Sequence, residues 1–130
     1  MPKFDLYRKT DFANLVHEYD LDGSRLLPWD DYPMPFAGGW CVVRPHTKSE
    51  PHTQIDQEIF IAIKGKGVVV IGDKQYDFEM GDIVAIPKHT NHYVVNDSDE
   101  DFHFYVVWWD VNYATKFLQE NNERTGVLDG

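Results

Sequence analysis

The amino-acid sequence predicts an all-β fold, a barrel or jelly roll with a short helix at each end. Short runs rich in β-branched and aromatic residues follow one another through residues 40–109, and turn residues separate them at regular intervals. Regular short strands of this kind are typical of sandwiches and barrels. No helical segment lies between these runs, which excludes a parallel α/β fold, because parallel strands need a long crossover that is usually a helix.

The first predicted element is a short helix near the N-terminus. Thr10 or Asp11 is its expected N-cap, and Asp22–Gly23 is its expected end. One face of this helix would consist of four apolar side chains at helical spacing: Phe12, Leu15, Val16 and Tyr19. A loop is expected up to residue 39, because three prolines in this stretch exclude a helix interior or a central strand.

Seven strands are predicted after this loop. A turn at Gly65 and Gly67 separates the second strand from the third, since glycine adopts positive φ without steric cost. The predicted strands are Trp40–Arg44, Glu58–Ile63, Val68–Ile71, Lys74–Phe78, Ile83–Ile86, His92–Asn96 and Phe102–Trp109.

A second helix is predicted after the last strand, with Asp110 as its N-cap and its end before Gly126. Its inward face would carry Val111, Ala114, Phe117 and Leu118. We therefore expect a single domain over residues 1–130. Residues 1–39 would form a helix and a proline- and aromatic-rich loop, residues 40–109 the barrel, and residues 110–130 a helix with a tail.

Composition excludes several classes of protein. The 12 Lys and Arg against 22 Asp and Glu give a net charge of −10, which argues against nucleic-acid binding, because phosphate neutralisation needs a basic face. The single cysteine, Cys41, excludes an intramolecular disulfide framework and fits a reducing compartment. We expect no membrane span, because no apolar run approaches about 20 residues, and no signal peptide, because the start is polar. A cytoplasmic location is therefore expected.

Two segments contain the residues from which chemistry can be predicted. The first contains His52, Gln54 and Glu58 and ends at Gly65. The second has four residues at a regular spacing: Gly81, Pro87, His92 and Asn96. In this order the segments resemble the two motifs of the cupin superfamily, G-x5-H-x-H-x3,4-E-x6-G and G-x5-P-x-G-x2-H-x3-N. The sequence departs from these motifs at three positions, where Gln54 replaces the second histidine, His46 the leading glycine and His89 a glycine of the second motif.

The resemblance implies a cupin-type double-stranded β-helix, a jelly-roll barrel, with a metal ion bound by His52, Gln54, Glu58 and His92. The residues themselves support this set, because a closed barrel can bring the ends of distant strands together. His52 and Gln54, two residues apart, would share one strand face. Two imidazoles, a carboxylate and an amide oxygen suit one divalent transition metal ion, with Fe²⁺ favoured and Mn²⁺, Ni²⁺, Co²⁺ and Zn²⁺ as alternatives. Gln54 is a weaker donor than histidine, so the site is either weakened or lost.

Several other side chains are candidates for function. His103 and Tyr105 share one face of the last strand, where they either line the pocket as catalytic proton and hydrogen-bond donors or lie in a sheet or dimer interface. The candidate substrate contacts are Arg44, His46 and Phe60. Arg44 could bind a carboxylate or phosphate or be solvated, and His46 could face the pocket or lie on a loop. His89 is either a surface turn residue or a residue that overhangs the site.

We predict a metal-dependent enzyme that acts on a small polar metabolite, by dioxygenase chemistry or by isomerase, lyase or cyclase chemistry. The alternative is a non-catalytic binding or accessory protein with a weakened or lost metal site. The expected partners are a small-molecule substrate and a second copy of the chain in a homodimer, and no nucleic acid or membrane.

Overall fold

Two antiparallel sheets form the body of the structure, a computed structural model that describes residues 4–122. A 3₁₀ helix at Phe12–Asn14 precedes the strands. The strands are β1 (Val16–Glu18), β2 (Leu21–Leu27), β3 (Ala37–Val43), β4 (Thr47–Lys48), β5 (Gln57–Lys64), β6 (Lys66–Ile71), β7 (Lys74–Glu79), β8 (Ile83–Ile86), β9 (His92–Asn96) and β10 (Phe102–Trp109), and a helix α1 (Val111–Glu120) follows.

The order of strands is that of a jelly roll, because β10 pairs with β3 and β5, and β9 pairs with β4 and β6, all of them distant in sequence. One sheet has the order β1-β2-β3-β10-β5-β8 and the other β4-β9-β6-β7. The chain passes from the first sheet to the second at Gly65, whose φ is +86°. A Cβ atom at this position would lie 2.8 Å from the carbonyl oxygen of Asp101, so both the backbone angle and the space require glycine.

The hydrophobic core lies between the two sheets, where alternate residues of the central strands face inward. Every second residue of β10 from Phe102 to Val106 is buried, as expected for a strand with one face in the core. Phe102 packs against Phe78 of the opposite sheet with ring centroids 5.7 Å apart, and Phe104 packs against Phe60 at 4.8 Å. The side chains near Phe102 close this end of the sandwich, whereas a cavity extends along β10 from Phe104 to Trp108.

The predicted strands are confirmed, and the predicted bounds of β8, β9 and β10 match the structure. The first helix is wrong beyond its first turn. Asp11 caps only a three-residue 3₁₀ helix, and the chain then forms a hairpin of β1 and β2. Tyr19 and Asp20 connect these strands with φ values of 54° and 58°, a pair of left-handed residues that matches a tight hairpin turn and not a helix. Asp22–Gly23 consequently lies inside β2.

The second helix is confirmed as α1. The side chain of Asp110 accepts a hydrogen bond from the backbone N–H of Tyr113 at 2.8 Å, so it is the N-cap. Three of its four predicted inward residues are partly buried, whereas Val111 is exposed, and Gly126 lies outside the described residues. None of the helices within residues 4–122 has the length and apolar character to cross a membrane.

Candidate metal centre

Three side chains from separate parts of the chain converge between the sheets. His52 lies in a single bridge that pairs its backbone with that of His92, with two N–H···O=C bonds of 3.3 and 3.1 Å. His92 begins β9, and Glu58 is the second residue of β5. One ligand atom from each of the three residues lies within 4.8 Å of the others, so this group could hold a metal ion.

The backbone fixes the protonation of both imidazoles at one nitrogen. Nδ1 of His52 lies 3.0 Å from the carbonyl oxygen of Glu50, and Nδ1 of His92 lies 2.9 Å from that of Thr90. A carbonyl oxygen only accepts hydrogen bonds, so each Nδ1 carries a proton and donates it. In the neutral ring Nε2 then holds the free lone pair, which is the state that a metal-ligating histidine needs.

Glu58 and His92 are buried without hydrogen-bond partners for their facing atoms. The two residues are 6% and 1% exposed. Oε1 of Glu58 and Nε2 of His92 lie 3.1 Å apart, yet neither makes a hydrogen bond. Burial lowers the pKa of His92, but the Glu58 carboxylate and the Thr90 carbonyl together raise it above its ordinary value. A positive charge between these two atoms, from a proton or a metal ion, would satisfy both.

The residues present fit a divalent transition metal ion. Adjacent ligands on one ion with bonds near 2.1 Å lie roughly 3 Å apart, and the separation of the Glu58 and His92 atoms is 3.1 Å. Orphaned buried polar atoms are rare in folded proteins, so their presence here indicates a missing partner. Two imidazoles and a carboxylate are a set that suits iron, manganese, cobalt, nickel or zinc.

The three side chains line a cavity of about 280 Å³. Gln54 also lines this cavity, although the backbone around it is irregular and His52 and Gln54 do not share a regular strand. The predicted substrate contact Phe60 lines it as well, with its ring 5.8 Å from that of His92. One wall of the cavity is apolar and contains Leu21, Phe60, Phe104, Val106 and Trp108.

The hairpin of β1 and β2 supplies cavity residues that the sequence analysis missed. Arg25 donates two hydrogen bonds of 3.2 Å to the carboxylate of Glu18, which raises the pKa of Arg25, and its guanidinium lies 5.8 Å from the centre of the Trp108 ring. Tyr19 stacks on His52, with ring centroids 4.9 Å apart. The apolar residues of β2 are at positions 21, 26 and 27, so no alternating pattern marked this strand.

The structure does not bring the predicted catalytic pair to the cavity. His103 and Tyr105 face away from it, because the opposite face of β10 fills the core and lines the cavity. Nδ1 of His103 accepts a hydrogen bond of 2.9 Å from Nε1 of Trp40, and the ring of Tyr105 contacts the same Trp40 at 6.1 Å. The expectation that they line the pocket is therefore wrong, and the alternative of a dimer interface stays a prediction.

Arg44 and His46 also lie outside the cavity. Both follow Val43, which pairs with Phe102 at the closed end of the sandwich. Arg44 forms ion pairs with Asp22 and Asp101 at 2.8 and 2.9 Å, and exposed His46 pairs with an exposed aspartate, Asp99. The interpretation of Arg44 and His46 as substrate contacts is therefore wrong, because both lie at the closed end of the sandwich, away from the cavity.

His89, which stands where the second motif has a glycine, has a backbone role. His89 is exposed with φ of 62°, and its N–H donates to the carbonyl oxygen of Gln54 at 2.8 Å. A residue in this left-handed conformation explains why a related motif would have glycine there. His89 does not line the cavity, which favours the interpretation as a turn residue.

Comparisons with known proteins agree with this architecture. Residues 39–108 match the family model of the cupin domain. The protein plu4264 from Photorhabdus luminescens is similar at 46% identity over 89% of this chain and 97% of that chain, with a TM-score of 0.81. A Cupin 2 conserved barrel domain protein from Salinispora arenicola has 38% identity over 88% and 97% of the two chains, with a TM-score of 0.79.

More distant structures share the fold alone. A sugar phosphate isomerase of the cupin superfamily from Silicibacter pomeroyi is 23% identical over 70% of this chain and 60% of that chain, with a TM-score of 0.59. No curated protein matches the chain.

Proposed function

The chain belongs to the cupin family, and from this premise we propose that it is a metal-dependent enzyme acting on a small polar metabolite. The observation that carries the proposal is the convergence of His52, Glu58 and His92, in which the facing atoms of Glu58 and His92 are unpartnered. Both imidazoles are held by backbone carbonyls in the ligating state, and the facing atoms of Glu58 and His92 have no hydrogen bond. A metal ion at this position would satisfy both buried atoms, which otherwise need a shared proton.

His52, Glu58 and His92 would hold the ion, and Gln54, which lines the same cavity, would be a fourth, weaker ligand. Fe²⁺ is the first choice, because two histidines and a carboxylate with open positions are the ligand set of many iron oxygenases. Mn²⁺, Co²⁺, Ni²⁺ and Zn²⁺ are the alternatives. When bound, the ion supplies Lewis-acid polarisation of substrate oxygens, together with oxygen chemistry in the case of iron.

The remaining cavity residues would bind and orient the substrate. The volume of about 280 Å³ restricts it to a small molecule. The apolar wall from Phe104 to Trp108 would exclude water from one side, and the carboxylate of Asp56, which also lines the cavity, would be a proton acceptor there. Burial raises the pKa of Cys41 to about 12, so its thiol stays protonated and is a poor nucleophile.

Metal content is the first test of this proposal. Protein purified without chelator or affinity tag would be analysed by inductively coupled plasma mass spectrometry, beside Glu58→Ala and the matched control His46→Ala. We expect about one equivalent of a transition metal in the wild type and in His46→Ala, because His46 lies outside the cavity, and loss of the metal in Glu58→Ala. Absence of metal after anaerobic reconstitution with each candidate ion would refute the metal-dependent mechanism.

A binding role without catalysis is the second candidate. The observation that favours it is the apolar wall, which carries no titratable side chain. Metal-loaded protein would be incubated with small 2-hydroxy acids, 2-oxo acids and 1,2-diols, and both the thermal shift and the product mass would be recorded. Conversion of a bound compound, lost in His92→Ala, supports the enzyme; a thermal shift without any product supports the binding protein.

A further inference from the structure

We propose that Tyr19, at the turn of the β1–β2 hairpin, is a positioning residue that holds the His52 imidazole in its metal-ligating orientation. The inference rests on the proposed function and deepens it, because it names the residue that orients one of the three ligands, His52. Tyr19 lines the same cavity as the three ligands. It acts on His52 by two separate routes, one through the ring and one through the backbone.

The first route is a stack of the two rings. The Tyr19 and His52 ring centroids lie 4.9 Å apart and the ring planes differ by 24°, an offset-stacked arrangement. His52 is only partly buried, whereas His92 is 1% exposed and enclosed by its neighbours. The Tyr19 ring therefore covers a face of the more exposed ligand and resists rotation of its imidazole.

The second route runs through Glu50. The N–H of Glu50 donates to the carbonyl oxygen of Tyr19 at 2.7 Å, and the carbonyl oxygen of Glu50 accepts from Nδ1 of His52 at 3.0 Å. Glu50 is therefore hydrogen-bonded both to the hairpin backbone and to the His52 imidazole, so the hairpin helps to fix the orientation of that ring. His52 needs such support because it lies in a single bridge outside any regular strand.

The backbone of Tyr19 adds an independent argument. Its φ of 54°, followed by 58° at Asp20, defines a two-residue turn that asparagine and glycine adopt most easily. Tyrosine is strained in this left-handed conformation, so the turn alone does not explain its presence. The ring contact with His52 does explain it.

This strain makes a sharp test available. Tyr19→Asn suits the turn better than tyrosine but removes the ring, so it separates a positioning role from a structural one. Tyr19→Phe keeps the ring and serves as the conservative rescue. Asp20→Asn, in the adjacent turn residue without a ring on His52, is the matched control.

Two readouts would be taken on each full-length variant. The first is the affinity for Co²⁺ alone, with the visible d–d spectrum of the bound ion. The second is the population of the Nδ1–H form of His52 in metal-free protein, from long-range ¹H–¹⁵N correlations of the histidine rings. We expect Tyr19→Asn to keep or raise the Tm and to weaken Co²⁺ binding by roughly tenfold with a changed spectrum. We also expect it to mix the His52 tautomers, because an imidazole without the stacked ring can rotate away from the Glu50 carbonyl. Tyr19→Phe and Asp20→Asn should match the wild type.

The outcomes separate the two proposals. If the wild type binds Co²⁺ and Tyr19→Asn binds it equally well with His52 unchanged, the positioning role is overturned and the metal site stands. If the wild type binds no metal, the proposed function fails. In that case the tautomer population of His52 in metal-free protein still tests the role of Tyr19. A single tautomer in the wild type that is lost in Tyr19→Asn supports the positioning role. The same population in both proteins overturns it.

Discussion

β9 carries a buried polar side chain at each end, and the fold satisfies only one of them. Asn96 is 0% exposed and makes four hydrogen bonds. Its Nδ2 donates to the carbonyl oxygens of Val43 and Glu100, and its Oδ1 accepts from the N–H and the hydroxyl of Ser98. His92, four residues earlier and 1% exposed, has only its Nδ1 bonded, whereas its Nε2 faces Glu58 without a hydrogen bond.

The difference distinguishes a structural polar group from a functional one on the same strand. A buried polar group that is fully bonded within the protein stabilises the fold and specifies one arrangement of its neighbours. A buried group that lacks a partner is unfavourable for folding unless a ligand supplies one. Asn96 therefore belongs to the closed end of the sandwich, and His92 to the cavity. Mutations at the two ends should affect different measurements.

The largest expected effect is on folding, from Asn96→Ala. The substitution removes the side-chain donor to the carbonyl oxygens of Val43 and Glu100 and the acceptor of the Ser98 N–H, in a buried or partly buried place. We expect the free energy of unfolding to fall by about 3 kcal/mol, measured by urea denaturation of metal-free protein. Ser49→Ala is a control with a smaller expected loss of stability, because it removes only the hydrogen bond that the N–H of Val94, also on β9, donates to Oγ of Ser49. A loss below about 0.5 kcal/mol in Asn96→Ala would contradict the structural role.

The second effect concerns metal-dependent stability at the His92 end. At a free Co²⁺ concentration of about 100 times Kd, binding to the folded state alone adds about 2.7 kcal/mol to the free energy of unfolding. We expect this increment in the wild type and in Ser49→Ala, and its loss in Glu58→Gln. The measurement is urea denaturation with and without Co²⁺.

Glu58→Gln also gives a prediction for the stability of the metal-free protein relative to the wild type. The amide of the glutamine can donate to Nε2 of His92, which satisfies the two atoms that lack partners in the wild type. Metal-free Glu58→Gln should consequently be as stable as the wild type or more stable by about 1 kcal/mol. Equal gains from Co²⁺ in wild type and variant would show that the ion binds elsewhere.

The sequence predicts the strands better than the surfaces they present. The sequence predicts β8, β9 and β10 with their observed bounds, because their runs of β-branched and aromatic residues are bounded by turn residues on both sides. The motif spacing identified His52, Glu58 and His92. The sequence alone does not show which face of β10 points into the core, because both faces carry aromatic residues. The packing of the opposite sheet determines which face is buried. Phe78 and Phe60 pack against one face and Trp40 against the other.

The N-terminal hairpin was not predictable for a different reason. Its apolar residues have helical spacing, and a strand such as β2 forms only because β3 pairs with it over a long loop. The hairpin contributes Tyr19, Glu18 and Arg25 to the cavity, so the missed element is also the one that completes the site. Tertiary pairing here overrides a local pattern that favours a helix.

The smallest expected effect comes from Asp22, a partly exposed ion-paired carboxylate, which is the third kind of polar group in this comparison. Asp22 contacts His17 at 2.7 Å and Arg44 at 2.8 Å, and these contacts, His17 first, lower the pKa of Asp22 below its usual 3.8. Because the pKa is lower in the folded state, the contribution to stability is present above the usual pKa and is lost as pH falls through the folded pKa. Asp22→Asn should cost about 0.5 kcal/mol at neutral pH.

The pH dependence of that difference is what identifies its origin. Urea denaturation of wild type and Asp22→Asn between neutral pH and about pH 2 should show the two converging at the acid end, where Asp22 is protonated in both the folded and the unfolded state. A difference that stays constant over this range would assign the effect to packing and not to the charge. High salt should weaken it, since both partners of Arg44 reach solvent. Asn96→Ala, whose lost hydrogen bonds are uncharged and buried or partly buried, should keep its full effect in salt. This contrast separates a partly exposed ion pair from a buried amide that is fully hydrogen-bonded.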